Sequence, residues 1–228
     1  MKQLLKFFIY NKYLGKYFLK LILNIHTKTY NTAGSLSSYL NNGIHPKHEI
    51  MQYKEWFLDN INEGDVILDV GSNTGMMPAL ISKKASYVYG IEIDCSLVRE
   101  AISKRANDKV EFICADATSY DYSKCKKIDC VTLSNVLEHI ENRVVFLEKL
   151  ATQIKWNKKK RFLIRVPMID REWITVFKNN IGVEYRLDNT HYTEYTYKQF
   201  ELELKKANFT IESYHIKFGE IYAICIAV

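Results

Sequence analysis

Cysteine is scarce in this 228-residue sequence, which has five cysteines, an odd number, and no Cys-x-x-Cys pair. The shortage argues against a disulfide scaffold and a zinc ribbon, and it favours a reducing compartment such as the cytoplasm. Long apolar runs are missing as well, because lysines interrupt the hydrophobic residues near the start of the chain. We therefore expect neither a signal peptide nor a membrane-spanning helix there.

Acidic residues are absent from the first 30 positions, which contain six lysines. The whole chain has a formal net charge of +6, so these lysines account for the entire excess and the remainder is neutral. A positive charge confined to one end argues against a broad nucleic-acid-binding face. It indicates a local role for the basic segment, which we define as residues 1–44.

The basic segment has the pattern of an amphipathic helix, with lysines on about one third of the helical wheel and apolar residues opposite. Such a helix either packs over its own domain as a lid, which we favour, or meets an anionic membrane surface or a partner through residues 1–30. Gly15 near its middle argues against one unbroken helix. The lysines are Lys2, Lys6, Lys12, Lys16 and Lys20, and the apolar residues are Leu4, Phe7, Leu14, Phe18, Leu21, Ile22 and Ile25.

From residue 63 onward, short apolar strands alternate with helical patterns. This alternation predicts an α/β fold with a parallel sheet covered on both faces, and two final strands joined around Gly219 and Glu220 predict an antiparallel hairpin. Ser96 is the predicted N-cap of the second helix, and the charged run 158–161 is interpreted as a solvated loop. The predicted strands are 66–70, 87–92, 110–114, 128–133, 161–166, 211–218 and 221–228, and the predicted helices are 77–84, 96–105, 143–154 and 197–207.

A glycine-rich loop follows the first predicted strand and reads Asp69-Val-Gly71-Ser-Asn73-Thr-Gly75. Glycine lets the backbone approach a ligand closely, and a helix N-terminus offers N–H groups to an anion. Glu92 ends the second strand, where an acid accepts hydrogen bonds from the ribose hydroxyls of a nucleoside cofactor. Asp116 follows the third strand, where a carboxylate can accept a hydrogen bond from an adenine amino group. Together these residues predict a nucleoside site.

Four segments, 66–75, 90–94, 112–117 and 129–140, resemble the motifs of class I S-adenosylmethionine-dependent methyltransferases. The resemblance extends over about residues 45–228, and it implies a single Rossmann-like domain with seven mostly parallel strands and an N-terminal helical cap. It also implies S-adenosylmethionine as cofactor and S-adenosylhomocysteine as product. Asn73 stands where many members have glycine, and asparagine tolerates the left-handed backbone that the turn requires.

The resemblance assigns roles to the loop and to the strand ends. Asp69 and Gly71 would border the methionine end of the cofactor, Glu92 would hold the ribose, and Asp116 would hold the adenine together with Ala117. The implied cofactor-binding set is Asp69, Gly71, Asn73, Gly75, Glu92, Asp116, Ala117 and Asn135.

A carboxylate–histidine cluster is predicted after the fourth strand, in Ser134-Asn135-Val-Leu-Glu138-His139. Asn135 and Glu138 are three residues apart and so share one face of a helical turn, with His139 adjacent. With a later histidine, His191, the pattern resembles a methyltransferase branch that includes ubiquinone-biosynthesis O-methyltransferases and small-RNA 3′-end methyltransferases. Members of that branch can bind a divalent ion through Glu-x-x-Glu-His and a later histidine.

Three interpretations of the cluster stay open. In the first, Glu138, His139, His191 and Asn135 hold Mg²⁺ or Mn²⁺, with lowered affinity because Asn135 replaces a charged glutamate. In the second, His139 or His191 acts beside Glu138 as a metal-free general base, since a neutral imidazole is suited to that role near pH 7. In the third, Glu138 and His139 only cap the helix and orient the loop.

The sequence thus predicts methyl transfer to a small polar acceptor, and a hydroxyl is our preferred acceptor group. Analogy extends this to O-methylation of a sugar- or nucleotide-linked precursor in surface polysaccharide biosynthesis, with a phosphate or phosphoramidate group. Arg165, Arg171 and Arg186 are candidates to hold such an anion. We expect a cytoplasmic enzyme with no nucleic-acid partner, whose basic segment can reach the inner membrane face. The alternatives are a metal-assisted RNA ribose methyltransferase and a non-catalytic cofactor-fold scaffold tethered by that segment.

Overall fold

The computed structural model describes residues 10–228, apart from the side chain of Lys12, so Lys2, Leu4, Lys6 and Phe7 of the predicted helix lie outside it. In chain order the helices are α1 (Lys12–Leu40), α2 (Lys47–Met51), α3 (Tyr53–Asp59), α4 (Met76–Ile81), α5 (Cys95–Arg105), α6 (Arg143–Gln153), α7 (Trp173–Asn180) and α8 (Tyr197–Lys206). The strands are β1 (Val66–Val70), β2 (Tyr87–Glu92), β3 (Val110–Cys114), β4 (Ile128–Ser134), β5 (Trp156–Pro167), β6 (Phe209–Lys217) and β7 (Glu220–Ala227).

The chain divides into two units. The helical unit combines the described residues up to Gln52 with Glu172–Leu187, and the sheet unit comprises Tyr53–Arg171 and Asp188–Val228. Within the helical unit, Lys178 of α7 donates from Nζ to Thr27 Oγ1 of α1 at 2.7 Å. The segment Glu172–Leu187, which follows β5 in the chain, therefore belongs with the N-terminal helix, a division that the sequence pattern did not indicate.

Helix α1 is continuous over 29 residues and includes Gly15, so the expected interruption at this glycine is wrong. Its N-terminus is closed by Asn11, whose Oδ1 accepts the N–H groups of Tyr13 and Leu14 at 3.1 and 3.2 Å. Asparagine is a strong N-cap because its side chain replaces the hydrogen bonds that the first turn lacks. Within the described part of the chain, no helix is long and apolar enough to cross a bilayer.

The sheet unit is built on seven strands in the order β3-β2-β1-β4-β5-β7-β6. Strands β1 to β5 pair in parallel, and β7 runs antiparallel to both β5 and β6. The predicted fold is confirmed, including the terminal hairpin and the N-terminal helix. The strand order reverses between β1 and β4, and in such sheets ligands bind in the crevice outside the carboxyl ends of the strands at that point.

The core lies on both faces of this sheet. Ile67 and Leu68 are adjacent in β1 and fully buried, yet they belong to separate hydrophobic clusters. Successive side chains of a strand point to opposite faces, so a central parallel strand must be apolar at nearly every position. Phe57 of α3 packs in the cluster of Ile67, while Phe146 and Phe200 of α6 and α8 pack in that of Leu68.

Three local predictions need correction. Strand β5 begins at Trp156, so the charged run 158–161 is strand rather than loop. The β4–β5 register shifts between Ile128 and Cys130, and Lys158 and Lys159 are exposed. Asp94, not Ser96, caps α5, because its Oδ1 accepts the Ser96 N–H at 2.7 Å. The hairpin turn is Phe218–Gly219, and both residues have positive φ, as a tight two-residue turn requires.

The cysteines also differ from expectation in one respect. Cys95 and Cys114 form a disulfide, which joins the start of α5 to the end of β3. Cys125, Cys130 and Cys225 are buried free thiols. A single bond does not make a disulfide scaffold, but it is at odds with the reducing compartment that the cysteine count favoured.

Candidate active site

The predicted cofactor residues gather at the carboxyl edge of the sheet. In the loop after β1, Gly71, Asn73 and Gly75 have φ values of 74°, 49° and 78°, so every second residue is left-handed. The N–H groups of Gly71 and Ser72 both donate to Ile91 O, at 2.8 and 3.0 Å, which fastens the loop to β2. A Cβ on Gly71 would lie 2.7 Å from Val136 Cγ2, so only glycine fits there.

Glu92 links this loop to the end of β2. Its Oε2 accepts the Asn73 N–H at 2.9 Å, and its Oε1 accepts the Asp94 N–H at 3.0 Å. The residue is only 9% exposed. Each carboxylate oxygen has a second lone pair, so this rigidly held carboxylate can still accept two hydroxyl groups. That arrangement fits the ribose of a nucleoside cofactor.

The two aspartates of the predicted set lie in different environments. Asp69 is buried in β1 and accepts a hydrogen bond from Thr132 Oγ1 of β4. Burial raises the pKa of Asp69 to about 7, although the Thr132 hydrogen bond opposes this effect. Asp116 is exposed, and its Oδ1 accepts the N–H and the hydroxyl of Thr118, both at 2.8 Å. Asp116 therefore shapes the turn that follows β3.

The structure leaves one further polar group of the loop unsatisfied. Ser72 Oγ is buried and has no hydrogen-bond partner within residues 10–228. Ala117, the other predicted adenine contact, is partly buried, and its carbonyl accepts the Tyr122 hydroxyl at 2.6 Å. Buried hydroxyls normally have a hydrogen-bond partner. The unsatisfied Ser72 hydroxyl, beside a left-handed glycine loop and a fixed carboxylate, is therefore more typical of a nucleoside-binding site than of an ordinary surface loop.

The carboxylate–histidine cluster is assembled from two distant segments. Glu138 and His139 lie in a 3₁₀ turn, Leu137–His139, directly after β4. His191 comes 52 positions later, and its neighbour Tyr192 donates its N–H to Glu138 O at 2.7 Å. Ligand atoms of Glu138, His139 and His191 all lie within 4.8 Å of one another, so the structure brings together the three residues as the sequence predicted.

Glu138 is the least satisfied group of the cluster. It is fully buried, and neither carboxylate oxygen has a hydrogen-bond partner among the described residues. Burial raises its pKa to about 8, although the positive charge of Arg165 opposes this effect. A buried carboxylate without donors favours its neutral form. At neutral pH the side chain is therefore mostly protonated unless a cation or a donor comes to it.

The two imidazole rings meet edge to face. Their centroids are 4.6 Å apart with an interplanar angle of 81°. Burial and then the nearby His191 lower the pKa of His139 below its ordinary value. His139 is thus neutral at pH 7, the form that accepts a proton or binds a metal ion.

Asn135 lies next to this cluster but is turned toward Arg165. Its Oδ1 accepts from Arg165 Nε at 3.3 Å, and its backbone has a left-handed φ of 56°. Arg165 is buried, with its Nε 3.1 Å from Glu220 Oε2 and its guanidinium 4.0 Å from the ring centroid of Tyr53. Its Nη1 has no hydrogen-bond partner in the described part of the chain. An amide, a guanidinium and Glu138 therefore line the end of β4 and β5.

The other two arginines that the sequence singled out form ion pairs. Arg171 pairs with the buried carboxylate of Glu194, and Arg186 pairs with Glu184 at 2.7 Å. Glu194 also lies 3.2 Å from His191 Nδ1, through its Oε1. Glu194 was not predicted from the sequence, where its signal is its spacing of three residues from His191.

The chain is similar in sequence to known methyltransferases. A family model described as a methyltransferase domain matches residues 44–214. N-methyltransferase 4 of Papaver somniferum is 26% identical over 111 residues, which are 46% of this chain and 31% of that protein. Ribosomal RNA small subunit methyltransferase A of Rubrobacter xylanophilus is 25% identical over 109 residues, 46% of this chain and 40% of that protein. The chain thus spans less than half the length of these curated relatives.

A solved structure shares the fold. Magnesium protoporphyrin IX methyltransferase from Synechocystis, crystallised with bound S-adenosylhomocysteine, superposes with a TM-score of 0.59. The match covers 80% of this chain and 83% of that one, at 18% identity. Similarity at this level of identity concerns the fold and not the substrate.

Proposed function

This chain belongs to the methyltransferase domain family, and we propose that it transfers a methyl group from S-adenosylmethionine to a small polar acceptor. The observation that carries the proposal is the position of two adjoining groups of side chains at one sheet edge. A glycine loop with the fixed Glu92 carboxylate lies after β1, and a buried carboxylate with two histidines lies after β4. These are the two strands between which the order of the sheet reverses.

On the cofactor side, this chain's residues bind and orient. Glu92 would accept the ribose hydroxyls, the loop Gly71–Gly75 would pass beside the methionine end, and Asp116 with Ala117 would border the adenine. Asp69 would support the loop from β1. When bound, S-adenosylmethionine supplies an electrophilic methyl group on a sulfonium. The protein then needs to align an acceptor in line with that methyl group and exclude water.

On the acceptor side, His139 or His191 would remove the acceptor's proton, with Glu138 beside them. In the transfer an O–CH₃ bond forms, the S–CH₃ bond breaks, and the O–H proton passes to a base. A neutral His139 or His191 is a competent base near pH 7. Support for this role is the shared location of the three ligand atoms, which are within 4.8 Å of one another.

A divalent ion bound by the same three residues is the second form of this proposal. Two imidazoles and one carboxylate are the donor set of many transition-metal sites, and a metal would remove the cost of burying Glu138 without a partner. Such a set favours Mn²⁺ or Zn²⁺ over Mg²⁺, which prefers oxygen ligands. Asn135 contributes less in this form, because its Oδ1 is turned to Arg165.

The acceptor that we favour is a hydroxyl on a sugar- or nucleotide-linked precursor of surface polysaccharide that bears a phosphate-type anion. Arg165 supports an anionic acceptor, since its buried Nη1 lacks a partner among the described residues and a guanidinium binds phosphate or carboxylate strongly. Arg171 and Arg186 support it less, because each is engaged with a glutamate. The polysaccharide link itself comes from resemblance.

The test is a pair of measurements on the full chain. Calorimetry with S-adenosylhomocysteine should show binding, and a panel of phosphorylated sugars and nucleotide sugars should yield S-adenosylhomocysteine with S-adenosylmethionine. A chelator that abolishes turnover, followed by recovery with Mn²⁺, Zn²⁺ or Mg²⁺, supports the metal form. Turnover that is unchanged by the chelator supports the metal-free form. Absence of S-adenosylhomocysteine binding contradicts the function and favours the scaffold alternative.

An RNA acceptor is the main rival, and a relative named as a ribosomal RNA methyltransferase gives it a specific basis. The neutral charge outside the basic segment argues against it, because RNA binding draws on lysines and arginines along the phosphate backbone. Methyl transfer to total RNA whose affinity falls steeply with salt would overturn our preference. Transfer to small acceptors alone would support it.

We also propose that the basic segment makes reversible contact with an anionic membrane face. Leu21, Ile22 and Ile25 of α1 are exposed, and no acidic residue precedes Glu49. Exposed apolar side chains with lysines beside them are typical of helices that lie in a bilayer interface. Liposomes containing anionic lipid should retain the intact chain at low salt and should not retain a chain lacking residues 1–20. If the intact chain ignores them, the lid interpretation is favoured.

A further inference from the structure

A buried carboxylate stands behind His191. The Glu194 side chain is fully buried; its Oε1 lies 3.2 Å from His191 Nδ1, and its Oε2 accepts from Arg171. As the partner of a guanidinium, the Glu194 carboxylate acts as a hydrogen-bond acceptor. His191 Nδ1 must therefore carry a proton toward Glu194. In a neutral imidazole this places the ring's lone pair on Nε2.

A hydroxyl plays the equivalent part for His139. Thr190 Oγ1 lies 2.9 Å from His139 Nδ1 and donates to Asp188 Oδ1 at 2.8 Å. Asp188 Oδ1 also accepts the Thr190 N–H at 2.8 Å, so this oxygen serves as the acceptor for Thr190. The single hydroxyl proton of Thr190 goes to Asp188, and its oxygen accepts from His139 Nδ1–H. The lone pair of His139 is thus also on Nε2.

We propose that Glu194 and the Asp188–Thr190 pair are positioning residues that hold both histidines as Nδ1–H tautomers, with both lone pairs on Nε2. The inference rests on the proposed function only in that the cluster activates the acceptor. Partners on the far ring nitrogen commonly fix the tautomer and orientation of metal-binding and catalytic histidines. Two imidazoles with the opposite tautomer would present N–H donors instead and could neither take a proton nor bind a metal through Nε2.

The tautomers can be read without any turnover. The full chain, labelled with ¹⁵N-histidine and held at pH 8, is expected to show Nδ1 as the protonated nitrogen of both His139 and His191 in two-bond ¹H–¹⁵N spectra. Glu194→Leu should move His191 toward the Nε2–H tautomer and leave His139 unchanged. Thr190→Val should move His139 toward the Nε2–H tautomer and leave His191 unchanged. His215, which stacks on Tyr222 in the sheet at 4.8 Å, is the internal reference.

The conservative variant separates positioning from simple stability. Glu194→Gln retains an oxygen that accepts from Nδ1–H, so it should keep the His191 tautomer and most of the turnover. Glu194→Leu should lower kcat about 10- to 100-fold, the usual size of such an effect, and leave S-adenosylhomocysteine affinity unchanged. Glu194→Leu leaves Arg171 without its partner and can fail to fold. In that case the double variant Glu194→Leu with Arg171→Met removes both charges. Thr190 is exposed, so Thr190→Val gives an independent test.

Two results would overturn the inference. One is a wild-type chain in which either histidine is mainly Nε2–H, and the other is a folded Glu194→Leu chain with an unchanged His191 tautomer. If the tautomers respond as expected but no acceptor is ever methylated, the proposed function fails and the positioning network stands. The two failures are therefore distinguishable.

Discussion

Glu92 and Glu138 are buried glutamates at the same edge of the sheet, yet the protein treats them in opposite ways. Glu92 accepts one backbone N–H on each carboxylate oxygen, at 2.9 and 3.0 Å. Glu138 has no hydrogen-bond partner on either oxygen within the described residues, and burial raises its pKa to about 8. The Glu92 carboxylate is fixed in position and can accept hydroxyl groups. The Glu138 carboxyl lacks partners, and a bound ligand or cation would supply them.

The contrast shows which part of the site lowers the stability of the folded protein. Leaving a buried polar group without a partner costs about 1–3 kcal/mol, so the Glu138 carboxylate destabilises the resting protein while the Glu92 carboxylate does not. Unsatisfied groups of this kind concentrate where a protein acts on a substrate. The cofactor side is therefore preorganised, and the acceptor side is completed only by what binds there.

The largest effect is expected on the acceptor side. The double change His139→Ala and His191→Ala removes both bases or both nitrogen ligands, so turnover should fall about 10²- to 10⁴-fold. Calorimetric affinity for S-adenosylhomocysteine should stay the same, because neither histidine touches the glycine loop in the described contacts. Turnover that survives both changes would mean that the cluster is structural, and the comparison between the two sides would lose its chemical meaning.

The same contrast explains how much the sequence predicted. The loop and Glu92 follow from neighbours in the chain, because a strand, a glycine turn and an acid at the next strand's end form a local pattern. His191 came only from a family resemblance, since nothing near it in the chain marks it. Glu194 and Thr190 were missed, because their role is defined by ring nitrogens that lie together only after folding.

The fold shows a similar division. The apolar central strands were predicted closely, whereas the start of β5 was missed because the lysines 158–160 lack the alternation of a half-buried strand. A register shift against β4 and pairing of Lys160 with Ala227 of β7 place this polar run in the sheet. Tertiary pairing thus overrode local propensity, which sequence patterns do not report.

A second prediction concerns pH, since Glu138 and Asp69 both have raised pKa values, about 8 and about 7. An acid with a raised pKa binds its proton more tightly when folded, so its stabilising effect is complete below about pH 4 and is lost as pH rises toward 8. A difference of one in pKa between the folded and the unfolded chain corresponds to about 1.4 kcal/mol in the free energy of unfolding. The thermal unfolding midpoint of the ligand-free chain should therefore decrease as the pH is raised from 5 to 8.

The contributions of Glu138 and Asp69 to this pH dependence can be distinguished by replacing each with its amide. Glu138→Gln and Asp69→Asn cannot ionise, so each should flatten part of this pH dependence, with the Glu138 part lying at the higher pH. A bound divalent ion should reverse the slope for the wild type, because it stabilises the ionised Glu138. A midpoint that does not change between pH 5 and pH 8 in the wild type would contradict both assignments.

A third prediction tests the cofactor side. Glu92→Gln keeps the shape but loses the charge, and one of its terminal atoms becomes a donor facing the N–H of Asn73 or of Asp94. Affinity for S-adenosylhomocysteine should fall by about 1.5–3 kcal/mol, the size of a lost charge-assisted hydrogen bond. The matched control is Glu111→Gln, an exposed glutamate of β3. Unchanged affinity in a folded Glu92→Gln chain would show that this carboxylate only braces the loop.

The smallest effects come from two helix caps, one on each side of the comparison. Asp94 caps α5 beside Glu92, and Thr196 caps α8 shortly after Glu194 by accepting the Gln199 N–H at 3.2 Å. Replacing either with alanine should lower the free energy of unfolding by about 1 kcal/mol, as measured in urea. Neither change removes the backbone N–H that Asp94 donates to Glu92 Oε1.

S-adenosylhomocysteine affinity should therefore stay within about twofold of the wild type in both variants, since each cap acts on its own helix. A large loss of affinity in Asp94→Ala alone would show that the cofactor side depends on its helix cap, and that it is less independently fixed than the contacts of Glu92 indicate.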